Sequence, residues 1–203
     1  MSSTSPRSRL FAIAFLALFG ALLVPVTAVA ATERFHRFEV VATANYVVTQ
    51  DCGDGRTTQL RVSVLAGHEE ESTNGETTFD EDFLTVLIRG FDCEGNLVND
   101  RGFGTGEFTY SPSLQTASTT GTVVTRDGRT VEVDMSWDGV GPIESSTNTT
   151  TFQGFTGVFQ SKRRDAVATG TVVVNGETLV NGSTTNAEIE TLEDTNVSTG
   201  SSS

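Results

Sequence analysis

Apolar and polar residues alternate most regularly between Thr130 and Asp138. There Val131, Val133, Met135 and Trp137 are separated by Glu132, Asp134, Ser136 and Asp138. A period of two puts one set on each face of an extended chain, so this segment reads as a half-buried strand. Segments rich in Thr, Val and Phe predict further strands over Phe35–Thr49, Thr57–Ala66, Phe83–Phe91, Leu97–Tyr110, Ala117–Thr125, Thr149–Gln160, Ala166–Val174 and Thr185–Leu192. No amphipathic helix is legible after the first thirty-odd residues.

Punctuation of the hairpin kind separates several of these runs. Gly53-Asp54-Gly55, Glu94-Gly95-Asn96, Asp127-Gly128 and Asn175-Gly176 supply residues that tolerate the positive φ of tight turns. Gly102, Gly104 and Gly106 fall inside one expected strand and mark a bulge or a bend there. Consecutive strands joined by short turns imply an all-β fold, an antiparallel up-and-down β-barrel of about eight strands that closes on itself to remove its edges. A two-sheet β-sandwich is the alternative.

The N-terminus reads differently. Arg7 and Arg9 precede an uncharged apolar run from Leu10, Pro25 interrupts it, and Ala28-Val29-Ala30 offers small residues at a cleavage site. This is the order of a secretory signal peptide, residues 1–30, with cleavage expected after Ala30. Residues 31–192 then form a single all-β domain. Residues 193–203, rich in Ser, Thr and Gly, are expected to form a disordered tail for want of apolar side chains. Export makes the domain extracellular, with no stable membrane insertion once the leader is gone.

Charge narrows the partners. The chain carries a formal net charge of -13, and an acidic surface repels nucleic acid and anionic lipid. Lys162-Arg163-Arg164 is the one basic cluster in the sequence and reads as a charged hairpin tip. The two cysteines, Cys52 and Cys93, sit in similar turns after the first and third strands. In an up-and-down meander those turns share one rim, and an oxidising compartment lets the two residues form a disulfide.

Candidate chemistry is sparse. The two histidines are His36, opening the first strand, and His68, beside an acidic stretch that reads as a loop through Asp82. Within that stretch Glu76, Asp80, Glu81 and Asp82 are the residues that would ligate calcium, the one cofactor the sequence suggests, although the spacing of known calcium loops is missing. No other cofactor is expected. Glu132, Asp134 and Asp138 share a strand face at a spacing compatible with paired-carboxylate chemistry, yet they also look like a solvent-facing row. Asn148, Asn181 and Asn196 each open a glycosylation triplet. Ser111-Pro112-Ser113-Leu114 is the segment that an inhibitor loop would require to protrude.

Aromatic residues complete the inventory. Trp137, Tyr46, Tyr110 and Phe155 are the candidates for lining a ligand site, since a small barrel either fills its interior or holds one small ligand. The expected role is non-catalytic binding of a small ligand, an extracellular protein or a glycan, or service in the cell envelope. The alternative is a secreted hydrolase or isomerase with a site at the barrel mouth.

Overall fold

The computed structural model describes residues 32–53 and 55–199. The expected signal peptide and its expected cleavage site lie outside the described residues. Ten strands make up one antiparallel sheet. They are β1 (Thr32–Asp51), β2 (Thr57–Thr73), β3 (Glu76–Phe91), β4 (Leu97–Gly104), β5 (Gly106–Tyr110), β6 (Thr116–Thr125), β7 (Thr130–Gly139), β8 (Glu144–Phe152), β9 (Phe155–Val174) and β10 (Glu177–Thr199).

Neighbours in space are mostly neighbours in sequence, and β10 pairs with both β9 and β1. The sheet thus closes into a ring of eight strands, β1-β2-β3-β4-β6-β7-β9-β10. β5 continues β4 past a break at Thr105, among the glycines where a bend was expected. β8 stands outside the ring, paired only with β9.

The even-numbered side chains of β1 and β2 turn inward. Val40, Ala42, Ala44, Val62, Val64 and Ala66 are buried there, and Leu84, Ile88, Val131, Met135 and Trp137 fill the space between the walls. Small alanines and large side chains such as Trp137 and Met135 share this interior, the mix that close packing of opposite walls calls for. Closure is uneven. The β1–β10 ladder stops at Ala44↔Ala187, where β10 bulges between Thr184 and Ala187. Two side chains bond to β1 carbonyls beside it: Trp137 Nε1 donates to the Thr43 oxygen at 2.7 Å, and Thr184 Oγ1 donates to that of Asn45 at 2.9 Å.

One rim carries the turns β1–β2, β3–β4, β6–β7 and β9–β10. Cys52 and Cys93 meet on it as a disulfide with Cα atoms 5.2 Å apart, as the meander implies. The same region holds Asp100, which is fully buried and receives Arg129 Nη2 at 2.6 Å and Nε at 2.8 Å. Burial acts to raise the Asp100 pKa, but hydrogen bonds from Thr125, Arg129 and the Asp127 N–H outweigh it. With the Arg129 charge added, the carboxyl sits below its ordinary value.

Four expectations need correction. Lys162-Arg163-Arg164 is not a hairpin tip but lies in the middle of β9, paired with β10. The acidic stretch from His68 to Asp82 is a hairpin rather than a loop: β2 and β3 pair from Leu60↔Gly90 to Thr73↔Glu76, turning at Asn74 and Gly75 with φ of 55° and 87°. The segment Thr149–Gln160 is not one strand, because Gln153 and Gly154 turn with φ of 40° and 81° and divide it into β8 and β9. Residues Glu193–Thr199 belong to β10 and lie between β1 and β9, so backbone pairing on both sides orders a segment that its side chains alone would not.

Candidate functional site

At the rim opposite the disulfide, β1, β2, β3, β9 and β10 run on beyond the ring. They continue as a curved sheet in the order β8-β9-β10-β1-β2-β3. The parity that buries Val40, Ala66 and Leu84 carries on into this extension. It brings Phe38 and His36 of β1, His68 and Glu70 of β2, Asp82 and Asp80 of β3, and Thr191 and Glu193 of β10 onto the inner face.

The ladders put these residues in cross-strand rows. One row runs Asp82↔His68↔Val40↔Thr191↔Lys162, and the next runs Asp80↔Glu70↔Phe38↔Glu193↔Gln160. Both histidines and the single lysine of the chain therefore gather at this mouth.

β5 and the loop after it form the opposite lip. Tyr110 packs on Phe38 with ring centroids 6.2 Å apart and stacks on Phe108 at 6.1 Å. Burial, with the Glu70 charge second, pushes the Tyr110 pKa up, so its phenol remains a hydrogen-bond donor at neutral pH. Leu114 adopts a φ of 52°, turns inward and is fully buried, plugging the end of the ring. The Ser111 hydroxyl accepts the N–H groups of Gln115 and Thr116, and Arg164 Nη1 reaches the Ser113 carbonyl at 3.5 Å. The Ser111–Leu114 segment is folded onto the mouth rather than projecting as an inhibitor loop would.

Between the lips lies a cleft of about 180 Å³, lined by Phe38, Gln160, Lys162, Thr191 and Glu193 on the sheet side and by Tyr110 on the other. It is smaller than the roughly 300–1,000 Å³ of drug-sized sites, which suits a single small group or one unit of a larger molecule. Opposed charges, an amide and a hydroxyl beside aromatic rings can orient a polar ligand that has one flat apolar side.

Beside the cleft, His68 Nδ1 lies 2.8 Å from Asp82 Oδ1, and Asp82 Oδ2 accepts the Phe108 N–H at 3.0 Å. The other ring nitrogen of His68 is 3.8 Å from Asp80. Asp82 thereby ties the β2–β3 hairpin to β5, where the β3–β4 ladder has already ended. At the cleft itself, His36 Nε2 is 3.1 Å from Glu193 Oε1 and holds that carboxylate in place.

Of the aromatic candidates, Tyr110 lines this cleft. Trp137 is fully buried and committed to Thr43. Tyr46 faces the interior, its hydroxyl 3.4 Å from the Ala168 carbonyl, and burial pushes its pKa up to about 12. Phe155 lies at the β8–β9 turn, away from the other three. The structure does not bring the four together.

The calcium candidates are likewise dispersed. Asp80 and Asp82 point to the inner face of β3, Glu81 pairs opposite Glu69 on the outer one, and Glu76 sits at the hairpin turn. Among the described residues no three His, Cys, Asp or Glu side chains converge as a metal site would require. Glu132, Asp134 and Asp138 form the exposed face of β7. Phe38, Gln160, Thr191 and Glu193 escaped the sequence reading, although carrying the parity of Val40 back by two residues selects Phe38. The chain matches no known protein family, no curated protein and no solved structure in comparisons with each.

Proposed function

We propose that this protein is a secreted, non-catalytic binding protein that holds a small saccharide-like group at the ring's mouth. Phe38 and Tyr110 would take the flat apolar face of a sugar ring, and Gln160, Lys162, Thr191 and Glu193 would take its hydroxyls. The observation that carries this reading is the contrast between an interior of buried apolar side chains, Trp137 among them, and a mouth where aromatic and polar side chains line one cleft. Work outside the cell is supported by the leader pattern and by the Cys52–Cys93 bond, which suits an oxidising compartment.

Catalysis at the same mouth is the second reading, and the oriented His68–Asp82 pair is what favours it. Two facts count against it. Both His68 nitrogens face aspartates, and both Asp82 oxygens are already engaged in joining strands.

The test is saturation-transfer NMR with a panel of mono- and disaccharides on the wild-type chain and on Tyr110→Ala and Lys162→Ala. Signal transfer to at least one sugar, weakened by both substitutions, is expected. Transfer that survives both variants unchanged, or no transfer to any sugar, would sink the proposal. Turnover of a panel member that His68→Ala abolishes would replace it with the catalytic reading.

A further inference from the structure

The outer face of the ring carries a feature unrelated to the mouth. Arg61 of β2, Arg89 of β3, Arg101 of β4 and Arg126, which follows β6, are all exposed on it. Arg61 is registered directly opposite Arg89. The Arg126 N–H donates to the Arg101 carbonyl at 2.9 Å, which sets those two side by side as well. Like charges directly opposed on a sheet are destabilising, and an acidic chain has ample carboxylates with which to relieve them.

It does not use them here. Arg37, Arg129 and Arg163 have carboxylate partners, but among the described residues none of these four arginines makes an ion pair. Their contacts are neutral: Arg89 Nε donates to Asn99 at 3.3 Å, and the Arg101 guanidinium lies 4.0 Å over the Phe103 ring. Apolar side chains fill the gaps, with Phe103 59% and Val124 60% exposed. Two shallow depressions of about 510 and 410 Å³ both have Leu87 and Arg89 in their linings, so they adjoin along this face as a groove crossing several strands.

We propose that this groove binds an anionic polysaccharide, a chain of sugars bearing carboxylate groups. Each guanidinium offers a planar fork that matches a carboxylate in bidentate fashion. The arginines form two adjoining pairs, Arg61 with Arg89 and Arg101 with Arg126, each across neighbouring strands about 4.8 Å apart. That step is close to the length of one sugar unit, so neighbouring carboxylates of a uronate polymer can meet the two arginines of each pair. Phe103 and Val124 supply apolar ground for the CH faces of the rings. An open groove with no deep anchoring pocket suits an extended chain better than a folded protein.

Calorimetric titration of the full chain with an oligogalacturonate tests this, with a neutral dextrin of equal length and poly-glutamate as comparisons. Binding of the uronate at about 20 mM salt, largely lost at about 0.5 M, is expected because screening shortens the reach of exposed charges. The pairs Arg61→Thr with Arg89→Thr, and Arg101→Thr with Arg126→Thr, should each weaken it by roughly tenfold or more, the scale of losing one or two charge-assisted hydrogen bonds. Thermal melts of both variants at or above the wild-type midpoint would show that the fold is intact. Four results overturn the proposal: no uronate binding at low salt, equal binding of the dextrin, binding unaltered in both intact variants, or tighter binding of poly-glutamate. The last would assign the groove to an acidic protein.

Discussion

Trp137 on β7 donates its indole N–H to the backbone carbonyl of Thr43 on β1, 2.7 Å away across the interior. β7 and β1 are not neighbours in the ring, so the contact fastens two walls that no ladder connects. It lies one residue from the end of the β1–β10 ladder at Ala44↔Ala187. Trp137→Phe keeps most of the apolar volume and removes the donor. A loss of about 2 kcal/mol in chemical denaturation is expected, from the lost hydrogen bond plus a small void. A variant as stable as wild type would show that the tie contributes nothing.

Asp100 and Arg129 predict a pH dependence. Because the folded-state pKa of Asp100 is depressed below 3.8, its contribution is fully present above that value and is lost as pH falls through the folded one. Asp100→Asn should lower stability near pH 7 by roughly 2–4 kcal/mol, since it strands a partly buried guanidinium. The gap between variant and wild type should narrow at the acid end of a urea-melt series. A gap that stays constant below pH 4 would assign the acid sensitivity to other carboxylates.

The disulfide encloses a sequence separation of 41 residues. The loop-entropy relation gives about 4 kcal/mol for a closure of that length, as an upper figure. The Cys52→Ser, Cys93→Ser double variant should unfold at correspondingly lower denaturant while retaining its far-ultraviolet β signature. Thiol titration of the native wild type should find no reactive sulfhydryl, and two would disprove the bond.

Gly170 of β9 leaves no room for a side chain beside β7. A methyl group there would run into the Asp134 carbonyl and lie 2.8 Å from the Met135 Cα and Sδ atoms. Gly170→Ala should cost about 1–3 kcal/mol through strand displacement. Gly128→Ala should be penalised for its backbone angle alone, because at a φ of 78° the added methyl meets no neighbour. Equal melting curves for Gly170→Ala and wild type would mean that the two strands can part without cost.

Where apolar residues alternate, the sequence was sufficient. The strand foreseen at Thr130–Asp138 is β7 to within one residue, and the Asn175-Gly176 turn has φ of 51° and 84° as expected. Where both faces are polar, alternation carries no signal. β8 is Thr, Ser and Asn on both sides and exposed throughout, and the ends of β2, β3 and β10 are acidic or hydroxylated. Backbone pairing to a neighbour holds these segments, and pairing is a property of two strands at once. One local clue went unused: Asn74-Gly75 is itself a hairpin signal, and it would have turned the acidic loop into two strands. The mouth was illegible for the same reason, since its residues come from β1, β5, β9 and β10 and converge only when the ring closes.

That closure has a kinetic consequence. Thr32 pairs with Thr199, a separation of 199 − 32 = 167 residues, whereas the β1–β2 and β2–β3 hairpins form from adjacent chain. Chain entropy makes the final pairing roughly 2 kcal/mol harder than one a tenfold shorter connection would need. Until it occurs, β1 and β10 offer two free edges of matching register, and another molecule's β10 can fill the place as well as its own. Refolding at rising protein concentration should accordingly give exchanged dimers, and joining residues 32 and 199 through a short linker while opening the chain at Asn175-Gly176 should suppress them. This protein's folding hazard is thus its own double, and dilution is its protection.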